Sequence, residues 1–254
     1  MKIRAIALNT FREAIRDRVL YLLLFVAVAS LIFSRLLALL TVGDRVKIIT
    51  DVGLSSLSLF GALMAILIGT GLVYKEIDKK TIFTLLAKPI HRWQFLLGKF
   101  FGLILVLFVM LFLMSLIFLL ILLIHSGGVA WGMLVALIFI FLEMCLITAV
   151  SLLFSCLSTP ILSSIFSLAF YVIGHVSWGL ETLIGKLNAG FTQTLARVFY
   201  TLIPDLENFN FKTEIVHHLP IPTSVFLFST LYGLCYTGFI LALAVLVFRR
   251  RDFI

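Results

Sequence analysis

Residues 75–99 read KEIDKKTIFTLLAKPIHRWQFLLGK and lie between two hydrophobic runs, each long enough to cross a membrane. Basic residues in this stretch outnumber its two acidic residues, Glu76 and Asp78. Because positive charge accumulates in cytoplasmic loops, we expect the stretch to lie on the cytoplasmic side. The order of its residues predicts a short helix over 81–87, a break at Pro89 and then a second helix.

Apolar side chains are interleaved with the charges of this stretch, namely Ile77, Phe83, Leu86, Trp93 and Phe95. A loop that only joined two spans would have no reason to expose them. They indicate either an interfacial helix lying on the lipid headgroups or a docking surface for a partner. The residues alone leave both interpretations open.

The composition is that of an integral membrane protein. The 254 residues are 62% hydrophobic and 13% charged, and the mean hydropathy is +1.20. Soluble domains have roughly a quarter of their residues charged. The net charge of +8 comes from basic residues at the ends of hydrophobic runs, where lipid phosphates suffice as partners. We therefore predict no binding to nucleic acid.

The hydrophobic runs predict an all-α fold with six membrane spans in a single domain over 1–254, since about 20 apolar residues cross a bilayer. The spans are expected at about 19–40, 52–74, 99–124, 132–157, 161–180 and 225–248. A polar turn over 41–51 would follow the first span. Residues 181–224 would form an outer segment, part of it lying in the interface.

The N-terminal residues 1–18 have apolar side chains at helical spacing with charges elsewhere around the wheel. This pattern predicts an amphipathic interfacial helix, with a disordered basic tail as the alternative. Basic residues concentrate here, in 75–99 and in 249–251. That distribution predicts that both termini are cytoplasmic and that the first span remains as an anchor.

Small residues recur every four positions in two helices. Gly61, Ala65 and Gly69 give the second span a smooth face, and Gly98 and Gly102 repeat the spacing at the start of the third span. Such faces let another helix approach closely. We expect both faces to pack against helices.

Glu143 is the one acidic residue deep within a predicted span, where comparable charged residues cost about 2.5 to 3.5 kcal/mol on the insertion scale. It is therefore expected to face protein or water, or to be protonated. Two interpretations remain: Glu143 lines or gates a substrate path, or it makes a structural hydrogen bond to a neighbouring helix. His175 in the fifth span has the same two interpretations.

The signatures of common enzymes are missing from the sequence. It contains no GxxxxGK[ST], HExxH or GxSxG pattern. The three cysteines lack the spacing of a metal site and indicate packing. Met110 and Met114 could be soft ligands for a metal such as copper(I), but packing is the favoured interpretation. His217 and His218 form a pair without a third ligand. We predict a chain that is not an enzyme and that holds no metal or cofactor of its own.

Four segments together resemble a known family. They are KEIDKKTIFTLLAKPIHRWQFLLGKFFG at 75–102, NTFREAIRDRVLY at 9–21, IPDLENFNF at 203–211 and FRRRDF at 248–253. They are similar to the permease subunits of type-2 ATP-binding-cassette (ABC) transporters. The branch they resemble most is the one associated with multicopper-enzyme and nitrous-oxide-reductase maturation.

The resemblance implies a role for each polar segment. Residues 1–18 would be the elbow helix, and 75–92 would be a coupling helix seated on a separate ATPase subunit. The positions carried over as ATPase contacts are Glu76, Thr81, Leu85, Leu86, Lys88, Pro89 and Arg92. Two copies of the chain, most simply a homodimer, would pair with two ATPases that bind ATP and Mg²⁺.

The function expected from these observations is ATP-driven export or extraction of a hydrophobic or amphipathic molecule at the inner or plasma membrane of a prokaryote. A second hypothesis is a non-transporting module that passes ATPase motion to a periplasmic or membrane partner. A secondary transporter or channel is the third hypothesis, and it predicts more ionisable residues near the bilayer midplane than the sequence has.

Overall fold

A computed structural model describes residues 2–40, 44–78, 91–126, 131–186, 204–217, 219 and 222–250. All regular structure within these ranges is helical. The α-helices are α1 (Lys2–Ala14), α2 (Arg18–Leu40), α3 (Arg45–Asp78), α4 (Arg92–Ser126), α5 (Trp131–Leu157), α6 (Pro160–Lys186), α7 (Lys212–Val216) and α8 (Thr223–Arg250), and a 3₁₀ helix covers Leu206–Phe209. The all-α prediction is therefore confirmed.

Five helices of the described part are long and apolar enough to cross a membrane: α2, α3, α4, α5 and α8. Helix α6 coincides with the predicted fifth span, and its apolar segment within the described residues is Pro160–Val176, shorter than a full span. The structure thus provides five candidate spans where six were predicted. The protein is a multi-pass membrane protein.

The predicted polar turn over 41–51 is wrong for most of its length, because α3 begins at Arg45. Two features explain the early start. Ile49 is fully buried in the core. The hydroxyl of Thr50 donates to the carbonyl oxygen of Val46 at 2.8 Å, so this polar side chain is satisfied within the helix. Packing and a local hydrogen bond thus extend the helix into polar sequence.

Helices α3 and α5 form the centre of the bundle and pack against each other. Helix α2 packs on α3, α8 packs on α5, and α6 contacts both central helices. The burial follows this arrangement, since 67% of the apolar window of α3 is buried but only 22% of that of α2. Most of the α2 surface is therefore left for lipid or for another protein.

Helix α1 covers most of the N-terminal segment that was predicted to be helical, and it packs along the first turns of α4. Thr10 and Ala14 are buried in this contact. Lys99, 1% exposed, places its Nζ 3.6 Å from Glu13 Oε2. We call this side of the bundle the α1 end.

The opposite side, which we call the α7 end, is covered by the 3₁₀ helix and α7. Asp205 accepts a hydrogen bond from the backbone N–H of Glu207 at 3.1 Å and so caps the 3₁₀ helix. Below it, the rings of Phe139 and Phe211 lie 4.4 Å apart in an aromatic cluster. The cap and this cluster hold the segment 204–217 against the spans.

Candidate functional site

The structure brings together the two ionisable residues singled out within the spans. Glu143 on α5 is 3% exposed, and its Oε1 lies 3.1 Å from Nε2 of His175 on α6. From the sequence, each residue was interpreted separately, and nothing in it indicated that the two side chains meet. Their pairing places the acidic side chain against protein rather than lipid.

Two further polar side chains complete the contact between three helices. The hydroxyl of Ser58 on α3 donates to Glu143 Oε2 at 3.2 Å and lies 3.5 Å from the hydroxyl of Tyr171. The ring of Tyr171 meets the His175 imidazole edge to face, with centroids 4.6 Å apart. We call Ser58, Glu143, Tyr171, His175 and Glu207 the polar cluster.

Glu207 connects the polar cluster to the α7 end. Its Oε2 lies 3.9 Å from His175 Nδ1, and its Oε1 accepts a hydrogen bond from Asn210 Nδ2 at 2.7 Å. The imidazole of His175 therefore stands between two carboxyl groups, one buried and one on the 3₁₀ helix.

Some polar atoms of the cluster remain unsatisfied. Glu143 Oε1 and His175 Nδ1 are buried and have no well-aligned hydrogen-bond partner among the described residues. A small cavity lies beside Glu143 and His175 and is also lined by Asn210 and Lys212. The volume in which the centre of a water molecule fits is about 10 Å³. This is about the space that one water needs. The cluster thus has unused hydrogen-bonding capacity next to a space for about one water molecule.

This arrangement suits a conformational latch better than covalent chemistry. The described contacts of the cluster are polar links between elements, made by α3, α5, α6 and the 3₁₀ helix. Such links in a low-dielectric interior are strong when satisfied and costly when broken. The polar cluster therefore ties the position of the α7 end to the packing of the central spans.

Ser58, Tyr171 and Glu207 were missed by the sequence analysis. Serine and tyrosine are common in spans, and Glu207 lies in a segment interpreted as surface. A polar residue in each of two neighbouring spans is the signal that could have pointed to Ser58 and Tyr171. Whether they reach Glu143 depends on how the helices are aligned against each other, and the spacing within one helix does not show that.

Most residues predicted to contact an ATPase lie outside the described residues: Thr81, Leu85, Leu86, Lys88 and Pro89. Glu76 belongs to the last turns of α3. Arg92 is described, and it opens α4.

The guanidinium of Arg92 is directed at the end of another span. Its Nη1 donates to the carbonyl oxygens of Arg249 at 2.8 Å and Phe248 at 3.3 Å. The last carbonyls of a helix have no partner within it, so a cation there satisfies them and opposes the helix dipole. The rings of Phe95 and Phe248 stack beside this contact at 5.8 Å. Arg92 and Phe95 together form what we call the α8 clamp.

The small residues lie at two close helix contacts. A Cβ atom on Gly61 would meet Met144 Sδ at 2.9 Å, and one on Gly69 would meet Ser151 Cβ at 3.0 Å, so this face contacts α5. Ala65 lies between them and is 1% exposed.

Gly98 and Gly102 instead face α1. Added Cβ atoms would meet Ile6 at 2.7 Å and the carbonyl oxygen of Ala7 at 2.6 Å. Their close contact is therefore with α1 rather than with another candidate span.

The cysteines Cys145, Cys156 and Cys235 are free thiols. Within the described ranges, no group of three or more His, Cys, Asp or Glu side chains is arranged to hold a metal ion.

Apolar helices of full membrane length, with a cluster of polar side chains between them, define a multi-pass helical membrane protein. The chain matches the family described as ABC-2 family transporter protein over residues 4–253. The match covers nearly all of the sequence, and the chain belongs to this family. No curated protein matches it. Membership of this family indicates that the chain is a transmembrane component of a transporter.

Proposed function

We propose that the chain is the transmembrane subunit of an ATP-driven ABC exporter that forms a homodimer and works with two separate ATPase subunits. The family match over residues 4–253 carries this proposal. Motifs at 9–21 and 75–102 favour the branch associated with multicopper-enzyme and nitrous-oxide-reductase maturation, and residues 75–92 are the proposed ATPase contact. The proposed location is the inner or plasma membrane of a prokaryote.

The proposed mechanism is a population shift between two arrangements of the spans. ATP and Mg²⁺ bound by the partner favour one arrangement, and hydrolysis releases it. The α8 clamp supports this coupling, because Arg92 is the last residue of the proposed contact segment and also binds the end of α8. Movement of that segment would therefore act on α4 and α8 together.

The polar cluster is the proposed gate of the transport path. Its support is the contact between Glu143 and His175, which joins α5 to α6 near the α7 end. The apolar surfaces of the spans favour a hydrophobic or amphipathic substrate, since a strongly hydrated one would find few polar groups there. Exposed faces such as that of α2 supply surface for a second copy.

Co-purification tests the proposal. The tagged protein is isolated from its native membrane in mild detergent as wild type, as Leu86→Asp and as Leu40→Asp. We expect a P-loop ATPase with measurable ATP hydrolysis to accompany the wild type and to be lost from Leu86→Asp, because a charge disrupts an apolar contact. Leu40→Asp is the matched control, since Leu40 is 82% exposed at the other end of the bundle.

A well-folded wild type without an ATPase would overturn the proposal, as would retention of the ATPase by Leu86→Asp. If the ATPase is present, its rate with and without candidate amphipathic molecules separates transport from the alternative of a mechanical module. Stimulation by a substrate is expected of a transporter. Stimulation only by a protein partner would favour the module.

A further inference from the structure

An apolar groove of about 950 Å³ opens on the side of the bundle between α4 and α5. One wall is a stripe of α4 that runs from Phe108 to Leu119, and the other runs along α5 from Trp131 to Phe141. Small-molecule sites commonly occupy about 300 to 1,000 Å³, with mostly apolar walls and a few polar groups. The groove has the size and the composition of a binding site.

The length of the groove matches one leaflet of a bilayer. The stripe from Phe108 to Leu119 rises roughly 16 Å at 1.5 Å per residue, about half of a hydrocarbon core of about 30 Å. Trp131, 78% exposed, marks one end of the groove, and tryptophan is enriched where hydrocarbon meets headgroups. An acyl chain lying along α4 and α5 would thus have its headgroup near Trp131.

An acidic side chain lies at this headgroup end. Glu214 on α7 lines the groove, and its Oε2 is buried without a hydrogen-bond partner among the described residues. Its neighbour Ile215 contacts Gly132, the second residue of α5, which places α7 beside Trp131. A buried carboxylate oxygen without a donor is costly, and an ammonium group would satisfy its charge and its hydrogen-bonding capacity.

We propose that this groove binds phosphatidylethanolamine, with an acyl chain between α4 and α5 and the ammonium of the headgroup at Glu214. Phosphatidylglycerol has similar chains but no ammonium, and its net negative charge is repelled by the carboxylate. The groove should therefore distinguish the two lipids by headgroup. The inference goes beyond the proposed function and requires neither an ATPase nor transport.

Quenching of Trp131 fluorescence tests the proposal. The full chain carrying Trp93→Phe and Trp178→Phe, so that Trp131 is the remaining tryptophan, is reconstituted into vesicles. Dibrominated phosphatidylethanolamine or dibrominated phosphatidylglycerol is titrated against unlabelled phosphatidylcholine. We expect phosphatidylethanolamine to bind at Trp131 about threefold more tightly, a ratio in the range of partly exposed ion pairs.

The same titration with Glu214→Gln isolates the carboxylate, because glutamine keeps the size of the side chain and removes its charge. We expect the preference to disappear in Glu214→Gln and to persist in Asp44→Asn, an exposed acidic residue at the same end of the bundle. Equal affinities in the wild type, or a preference that survives Glu214→Gln, would overturn the proposal. Absence of quenching by both lipids would also overturn it, since another surface would then cover the groove.

Discussion

Glu143 shows how a carboxyl group is accommodated among apolar helices. A charged side chain at a span centre costs about 2.5 to 3.5 kcal/mol on the insertion scale when it lacks compensation. Here Glu143 accepts a hydrogen bond from Ser58 and lies 3.1 Å from His175. Removing His175 leaves the carboxyl group with fewer partners, so the two residues should be energetically coupled.

A double-mutant cycle tests this coupling. We expect Glu143→Ala and His175→Ala each to lower the free energy of unfolding in mixed micelles, and the double variant to lose less than their sum. The interaction term should fall in the range of roughly 0.5 to 3 kcal/mol that is found for contacting residues.

His125 supplies the control for this cycle. Its Nδ1 lies 2.8 Å from the carbonyl oxygen of Ile121 in its own helix, so its described contact does not involve the polar cluster. Glu143→Ala and His125→Ala should therefore be additive. If the losses of unfolding free energy in Glu143→Ala and His175→Ala are additive, the contact between the two side chains does not contribute to stability.

Residue chemistry explains why the sequence pointed to Glu143 but not to its surroundings. A lone carboxyl group in an apolar run conflicts with its environment, so it is visible without any structure. Ser58 and Tyr171 cause no such conflict, because a serine hydroxyl can bond to a backbone carbonyl of its own helix and a tyrosine ring is largely apolar. Their role depends on how α3, α5 and α6 are positioned, and local sequence does not specify that.

At the scale of the elements, the α8 clamp joins the start of α4 to the end of α8. Bonds from a charged donor to neutral acceptors contribute about 1.5 to 3 kcal/mol. Arg92 makes two such contacts with carbonyl groups at the last turn of α8. Loss of the guanidinium should loosen that turn.

Hydrogen exchange measures the loosening. In Arg92→Ala we expect faster amide exchange over 244–249, with no comparable change in the rest of α8. The exchange rate of Arg92→Lys should lie between those of the wild type and Arg92→Ala, since an ammonium keeps the charge but not the planar guanidinium. Arg45→Ala is the control, because Arg45 also opens a helix and is exposed. Unchanged exchange in Arg92→Ala would show that the clamp does not hold the turn.

Helix existence followed from hydrophobic runs, whereas helix ends depended on tertiary contacts. The predicted spans at 19–40 and 132–157 agree closely with α2 and α5. Helix α3 instead starts in polar sequence, because Ile49 is buried and the Thr50 hydroxyl is satisfied within the helix. A hydropathy pattern registers neither contact.

At the scale of the whole molecule, the α1 end and the α7 end should face opposite sides of the membrane. Asn9 on α1 and Asn208 on the 3₁₀ helix are both exposed and lie at these two ends. Single-cysteine variants Asn9→Cys and Asn208→Cys, with the three native cysteines replaced by alanine, show on which side of the membrane each position lies. Six spans with cytoplasmic termini predict that a membrane-impermeant maleimide labels only Asn208→Cys in intact cells.

Permeabilised cells provide the control for accessibility, since both cysteines should then react. Labelling of Asn9→Cys in intact cells would contradict the predicted orientation. Protection of both cysteines in intact cells would contradict the expectation that the α7 end lies on the outer side.

Helix α4 has a mechanical consequence through its length. Its 35 residues extend about 52 Å, well beyond a hydrocarbon core of about 30 Å. Its base is gripped on two sides, by α1 at Gly98 and Gly102 and by the end of α8 at Arg92. If α4 tilts as a rigid helix, a tilt of about 5° at its base displaces its far end by roughly 4 to 5 Å. Leu119, on the wall of the groove, lies roughly 40 Å from Arg92 along α4, so the same tilt would move it by roughly 3 to 4 Å and change the width of the groove.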